Sequence, residues 1–127
     1  MSRIPTASRE NVPQDQLAAF DALVASRGSV PDIGPVAIMI NGPELASRGE
    51  NYRAYFRGDE ITLEAPVREL AMILTARELD CQFIWNAHSG YARQAGVSDK
   101  LVDDLRDKKE LIGLSDKESA VINYGRE

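Results

Sequence analysis

Residues 66–95 constrain the fold of this chain most, because apolar side chains recur at helical spacing along the whole stretch. A single helix of this length would be unusual in a globular protein. Asp80 can cap the N-terminus of a new helix, so we expect a reversal near 79–80 between helices at about 64–79 and 81–95. The stretch is therefore predicted to form a central helical hairpin.

In the rest of the chain, apolar residues also recur at helical spacing, in segments separated by glycine and proline. The short apolar segment 36–40 has no partner strand elsewhere, so we interpret it as helical. Further helices are predicted at about 14–26, 43–57, 99–109 and 116–126. The predicted fold class is all-α. Residues 1–13 are expected to form an extended arm, disordered or lying on a neighbouring subunit, and residues 14–127 one helical domain.

Capping and core residues follow from the same pattern. Ser98 and Ser115 are predicted N-caps, and Gly96 is a predicted helix stop. Core packing is the expected role of the large residues in helix 43–57, which are Leu45, Tyr52, Tyr55 and Phe56. In the last helix the residues expected to face inward are Ala120, Val121 and Tyr124.

Charge and cysteine content exclude several classes of protein. The formal net charge is -5 and no basic cluster occurs, so nucleic acid and membrane are not expected partners. No apolar run approaches the roughly 18 residues needed to span a bilayer. A single cysteine cannot form an internal disulfide, and the N-terminus lacks the apolar core of a signal peptide. A cytoplasmic protein is the resulting expectation.

Chemistry is expected where Glu69, Cys81 and His88 occur in the hairpin. Cys81 and His88 share one face of their helix but lie about 10 Å apart along its axis. In an antiparallel hairpin, Glu69 falls at the level of His88, and such a pair can hold and transfer a proton near neutral pH. Cys81 would lie at a helix N-terminus, where the macrodipole favours a thiolate. These three are the predicted catalytic residues.

Structural roles for the same residues remain open alternatives. A lone histidine is often a buried structural residue, and a lone cysteine is often a small buried hydrophobe. Glu69 could instead form a salt bridge to Arg68 or Arg77 of another subunit. One histidine, one cysteine and one glutamate at these spacings match no closed zinc site, so neither metal nor cofactor is expected.

The residues of this region resemble the carboxymuconolactone decarboxylase family and its alkylhydroperoxidase D-like sister group. The likeness is carried by Arg68–Ala71, by Leu74–His88 with its Glu–x11–Cys–x6–His spacing, and by Gly113–Ser115. It implies an alkylhydroperoxidase D-like helical bundle that assembles as a homo-oligomer, commonly a trimer or hexamer. It also implies decarboxylation of a small carboxylated, unsaturated lactone without metal or cofactor.

Two departures from this family leave three functions open. Ile84 stands where the peroxidase relatives have their second cysteine, so a peroxidase would need an external thiol. Longer relatives continue with further helices beyond residue 127, so we expect either a fragment or a second chain supplying that surface. The first hypothesis is a lyase or isomerase, the second a one-cysteine hydroperoxidase, and the third a non-catalytic subunit. The predicted substrate-binding residues are Phe83, Ile84 and Trp85.

Overall fold

The structure, a computed structural model, describes residues 4–58 and 61–127. These residues form seven α-helices and no strand, which confirms the all-α prediction. A short 3-10 helix, Gln14–Gln16, precedes the first of them. The helices are α1 (Leu17–Arg27), α2 (Gly34–Met39), α3 (Pro43–Tyr55), α4 (Ala65–Glu78), α5 (Gln82–Gln94), α6 (Asp99–Arg106) and α7 (Asp116–Arg126). Within the described ranges, none of these helices is both long and apolar enough to cross a membrane.

The chain divides into two compact units, one ending at Ile61 and the other spanning Thr62–Glu127. In the first unit α1 packs on α3, and α2 packs on α3. Gly28 ends α1 in the left-handed conformation, as a glycine after a helix commonly does. The buried core of this unit consists of Ala7, Val12, Phe20, Leu23, Ile40 and Ala46.

The segment before the first helix belongs to this core. Ala7 and Val12 are almost fully buried, and the Ser8 carbonyl accepts hydrogen bonds from the backbone amides of Asn11 and Val12. Arg9 forms an ion pair with Asp21 of α1. The described part of the predicted arm therefore packs on its own unit, and residues 1–3 lie outside the described residues.

The aromatic residues of α3 are exposed, so the expectation that they pack in the core is wrong. Tyr52 is 70% exposed, and Tyr55 and Phe56 contact each other edge to face at the surface. The buried side of α3 instead carries small residues: Ala46 lies in the core, and Gly49 faces the Met39 side chain so closely that a Cβ would meet it. A helix that packs through small residues leaves its large ones outside.

In the second unit α4 is central, as its wide apolar face predicts. It contacts α5, α6 and α7. Its buried residues alternate with those of its neighbours to form one core, which consists of Leu70, Ile73, Leu74, Ala92, Val97, Leu101, Val102, Leu105 and Ile122. Burying a large aliphatic side chain contributes about 1.5–3 kcal/mol, so this cluster is the main source of the unit's stability.

The predicted caps of α6 and α7 are confirmed. The Ser98 hydroxyl accepts from the Leu101 amide, and Ser115 forms a reciprocal capping box with Glu118. Gly96 follows α5 with a φ of 105°, a conformation that glycine adopts at low cost.

The inward face predicted for α7 is confirmed for Val121, which packs against the core of the second unit, and is wrong for Ala120 and Tyr124, which are exposed. Tyr124 is 83% exposed, whereas Ile122 is buried. The reason is a close approach of α7 to α4: a Cβ on Gly125 would lie 2.6 Å from Leu74 Cδ2. The helix therefore rests on α4 through Ile122 and Gly125, and this turns Tyr124 outward.

The reversal between α4 and α5 lies where it was predicted, but Asp80 has a different role from the one expected. Asp80 adopts the left-handed conformation with a φ of 49°. Its amide donates to the Arg77 carbonyl, and the next amide, of Cys81, donates to the Ala76 carbonyl at 2.7 Å. This pair of bonds is a Schellman motif, so Asp80 ends α4 rather than capping α5. The N-cap of α5 is Cys81.

Candidate functional site

Glu69 of α4 and His88 of α5 form a direct hydrogen bond across the hairpin. Nδ1 of His88 donates to Oε2 of Glu69 at 2.8 Å. Both residues are buried, with 7% of Glu69 and 8% of His88 exposed. Glu69 lies eleven residues before Asp80 and His88 eight residues after it, so the two fall at similar levels of the antiparallel hairpin.

Arg68 and Tyr91 are the neighbours of this pair. Nε of Arg68, on the same chain, lies 3.9 Å from Oε1 of Glu69. The ring of Tyr91 contacts the imidazole edge to face, with centroids 5.9 Å apart. Because Glu69 engages Nδ1, it fixes the orientation of the ring and leaves Nε2 as the nitrogen outside this hydrogen bond.

Cys81 lines a separate cavity of about 310 Å³ at the start of α5. Its side chain is half-buried, and its thiol is the chain's only one. The cavity lies where α5 begins, and helix N-termini favour negative charge. Its lining consists of Ala76, Arg77, Asp80, Cys81, Gln82, Trp85 and Arg106.

Two guanidinium groups and one carboxylate line this cavity. Nη1 of Arg77 donates to Oδ1 of Asp80 at 2.9 Å, and Nζ of Lys108 lies 3.5 Å from the same oxygen. Arg106, from α6, pairs with Asp103 and Asp107 outside the lining. A small anion entering this cavity would meet Arg77 and the first turn of α5, and carboxylates bind well to guanidinium groups.

The structure brings Glu69 to His88 but does not bring Cys81 to either of them. Seven residues of helix separate Cys81 from His88, which corresponds to about 10 Å. Glu69 and His88 do not line the Cys81 cavity, whereas Trp85, one turn before His88, does. The candidate site therefore has two parts, a thiol cavity and a buried acid–imidazole pair, joined by one face of α5.

The predicted substrate-binding residues are placed unequally. Trp85 lines the cavity, Ile84 is half-buried, and Phe83 is 59% exposed on the opposite side of the helix from the core. The sequence did not reveal the role of Arg77 in the lining, although its position four residues before Cys81 was a usable signal. Arg106 follows Cys81 by a whole helix and a loop, so no local pattern could have identified it.

The described residues contain no group of three or more histidine, cysteine, aspartate or glutamate side chains that could hold a metal ion. The clustering of Glu69, His88 and Cys81 is too loose for shared coordination, because their helix spacing keeps the thiol away from the pair.

Comparisons with known proteins identify no relative. No protein-family model matches the sequence, and neither curated proteins nor solved structures give a significant match.

Proposed function

We propose that the chain is a cofactor-free lyase or isomerase of the carboxymuconolactone decarboxylase type, acting on a small carboxylated substrate. The observation that carries this proposal is the buried hydrogen bond between His88 Nδ1 and Glu69 Oε2, 2.8 Å long. A buried carboxylate bonded to an imidazole orients that ring and stabilises its protonated form when it accepts a proton. The sequence likeness around Glu69, Cys81 and His88 supports the choice of reaction.

In this reaction the C–C bond to the substrate carboxylate breaks, and its electron pair passes into an enolate as carbon dioxide leaves. His88 enters this step protonated on both nitrogens: its Nε2–H bonds to the enolate oxygen and then transfers its proton to carbon, while Glu69 holds Nδ1–H throughout. Electrostatic stabilisation of a developing enolate is one of the larger contributions an enzyme can make. The proton is regained from water when the product has left.

One face of α5 runs from the Cys81 cavity to the Glu69–His88 pair, and its size and charge match a small carboxylated substrate. The cavity volume of about 310 Å³ is within the range of small-molecule sites. Arg77 would bind a carboxylate at one end, and Trp85 would contact the apolar ring. A substrate extended along this face would direct its reacting carbon towards His88.

The proposal is tested by adding a carboxylated unsaturated lactone to the protein and measuring the rate at which carbon dioxide is released. Glu69→Gln and His88→Gln are expected to reduce kcat by about 10²–10⁴, the usual contribution of a general acid–base group. Cys81→Ser is the matched control, because it changes the same site without touching the pair, and it should retain most of the activity. A dead Cys81→Ser enzyme with active Glu69 and His88 variants would refute the lyase.

A one-cysteine hydroperoxidase is the second candidate, and the location of Cys81 in an open cavity favours it. The thiolate would attack the peroxide O–O bond, giving a sulfenic acid and releasing an alcohol. Because Ile84 replaces any resolving cysteine one turn away, an external thiol must reduce the sulfenic acid in two steps, releasing water and a disulfide.

The same three variants separate this candidate from the first. Peroxide consumption with an added thiol should vanish in Cys81→Ser, and the alkylation rate of the wild-type thiol should already be high at neutral pH. A chain with neither activity that purifies with a stoichiometric partner polypeptide would be a non-catalytic subunit. The alkylhydroperoxidase D-like bundle, the trimeric or hexameric assembly and the cytoplasmic location belong to the same proposal.

A further inference from the structure

One edge of the Arg77 guanidinium group is left without a partner by the described residues. Nη1 donates to Oδ1 of Asp80, whereas Nε is buried and has no hydrogen-bond partner in the described part of the chain. Buried donors are almost always paired, because an unpaired one loses its bonds to water without replacement. Nε and Nη2 form the edge that Asp80 leaves open, and a carboxylate can accept from both at once. This edge indicates that an anionic ligand belongs beside Arg77.

The chain's single thiol lines the same cavity as this guanidinium group. Cys81 and Arg77 both contribute to the wall of the cavity of about 310 Å³. Cys81 is half-buried and is the N-cap of α5, but its side chain accepts no capping hydrogen bond. The N-terminus of this 13-residue helix favours negative charge. An anion held by Arg77 would therefore lie beside Sγ of Cys81.

The charge of the cavity wall is positive, although the chain as a whole carries a formal net charge of -5. The charged residues of the wall are two arginines and one aspartate. The aspartate, Asp80, is paired with Arg77 and with Lys108, whose Nζ lies 3.5 Å from Oδ1. Arg106 is paired with aspartates outside the lining. Arg77 is thus the cation of the wall that can still bind an anion, through its open edge.

We propose that Cys81 is a covalent modification site for small disulfides that carry a carboxylate, which Arg77 selects by binding that carboxylate. The Cys81 thiolate attacks one sulfur of the disulfide, so that a bond forms from Sγ to this sulfur and the S–S bond of the ligand breaks. The other sulfur leaves with the electron pair as a thiolate, which solvent protonates. One disulfide replaces another, so the step requires no further oxidant.

The composition of the chain makes a disulfide the electrophile with the most lasting effect. Because the sequence contains no second cysteine, the mixed disulfide has no internal thiol to displace it and persists until an external thiol does so. In the proposed lyase, the bound half would occupy the place of the substrate carboxylate, so turnover would stop until a thiol is added. The modification itself does not rest on the proposed function, because it is argued from the cavity alone.

Two small disulfides of similar size test the charge selection on the full chain: dithiodiglycolate, which is anionic, and hydroxyethyl disulfide, which is neutral. The rate at which each adds one thiol half to Cys81 is measured by intact mass, with Cys81→Ser as the blank. Relative to the free thiol mercaptoethanol, the wild type should favour the anionic reagent by about tenfold or more, because a bidentate arginine–carboxylate pair is a strong contact.

Two arginine variants locate the source of this preference. Arg77→Gln should remove the preference and leave the rate with the neutral reagent within about twofold of wild type, because that reagent makes no carboxylate contact. Arg126→Gln is the matched control: it removes the same charge from an exposed ion pair on α7, and the preference should remain.

A competition on the wild type gives a readout that needs no variant. Acetate should slow the anionic reagent but not the neutral one, compared with chloride at the same ionic strength. A wild type that reacts with the preference of the free thiol, or not at all on Cys81, would overturn the proposal. So would a preference that survives Arg77→Gln or acetate, or one that Arg126→Gln reduces as much as Arg77→Gln does. Absence of lyase activity with the preference intact would remove the proposed function and leave the modification site standing.

Discussion

Glu69 is a carboxylate that its own helix buries, and a buried charge is tolerated only with partners. Leu70 and Ile73, which follow it on the buried face of α4, belong to the core, so α4 cannot turn Glu69 to solvent without exposing them. His88 supplies the hydrogen bond across the hairpin. The pair is thus a structural requirement of α4 as well as the proposed proton carrier.

Replacement of Glu69 should separate these two roles. Glu69→Ala leaves the buried His88 ring without its partner and should lower the free energy of unfolding by about 1–3 kcal/mol, as measured by urea denaturation. Glu69→Gln keeps an oxygen that can accept from Nδ1, so its loss of stability should be less than about half as large. Equal stability of Glu69→Ala and the wild type would show that the pair contributes nothing to folding.

The sequence predicts this pair because helical spacing and a reversal near residue 80 fix the levels of both residues. It could not predict which residues surround the thiol. Arg106 lines the cavity of Cys81 because α6 packs beside the start of α5. How one helix packs on another is a tertiary property that no local sequence pattern encodes. The distance between Cys81 and His88, in contrast, follows from helix geometry and needs no structure.

At the scale of elements, helix existence is predictable and helix orientation is less so. The caps at Ser98 and Ser115 are local hydrogen-bond patterns, and both are present. The faces of α3 and α7 depend on which neighbour approaches closely, and there a glycine decides the packing. A pattern of apolar residues assigns the large ones to the core. It does not show that the glycine at position 125 lets α4 approach α7 closely.

Glu50 links α1 to α3, and its environment makes the first unit sensitive to acid. Burial opposes its ionisation, but hydrogen bonds from Arg53 and Arg27 outweigh this and hold the pKa of Glu50 below its ordinary 4.5. Arg27 Nη2 lies 2.8 Å and Arg53 Nη2 2.6 Å from Oε2 of Glu50. A carboxyl with a lowered pKa stabilises the fold above its unfolded pKa, and this is lost as pH falls through the folded value.

Glu50→Gln should therefore lower the free energy of unfolding at pH 7 by roughly 0.5–1 kcal/mol, because the network is partly exposed. The difference from wild type should shrink as the pH falls below about 4. Urea denaturation at pH 7, 5 and 3.5 measures it, and Glu10→Gln, an exposed change in the same unit, is the control. A difference that is constant across this range would contradict the assignment.

At the scale of the whole molecule, the candidate site belongs to one unit. The pair, the thiol and the charged residues of the cavity all come from the second unit, spanning Thr62–Glu127. That unit also has a core of its own. The sequence does not indicate such a division, because helices with similar spacing occur throughout, and we predicted one domain over residues 14–127. That single-domain prediction stays open.

A chain of residues 62–127 alone should fold, with cooperative thermal unfolding and a helical circular dichroism spectrum. A unit of this size is near the lower limit for a single core, so its midpoint should lie well below that of the full chain. The ¹⁵N chemical shifts of His88 should match those of the full chain if the hydrogen bond to Glu69 persists. A chain that remains unfolded at 10 °C would show that the first unit is needed for the site.

Trp85 has a consequence for how this molecule can be studied. It is the chain's single tryptophan, and it lines the cavity beside Cys81 and Arg77. Indole emission responds to the polarity and charge of its neighbourhood, so the protein carries a native optical reporter at the place where a ligand would enter. Binding of a candidate molecule can therefore be followed from the light the protein itself emits, before any reaction is known.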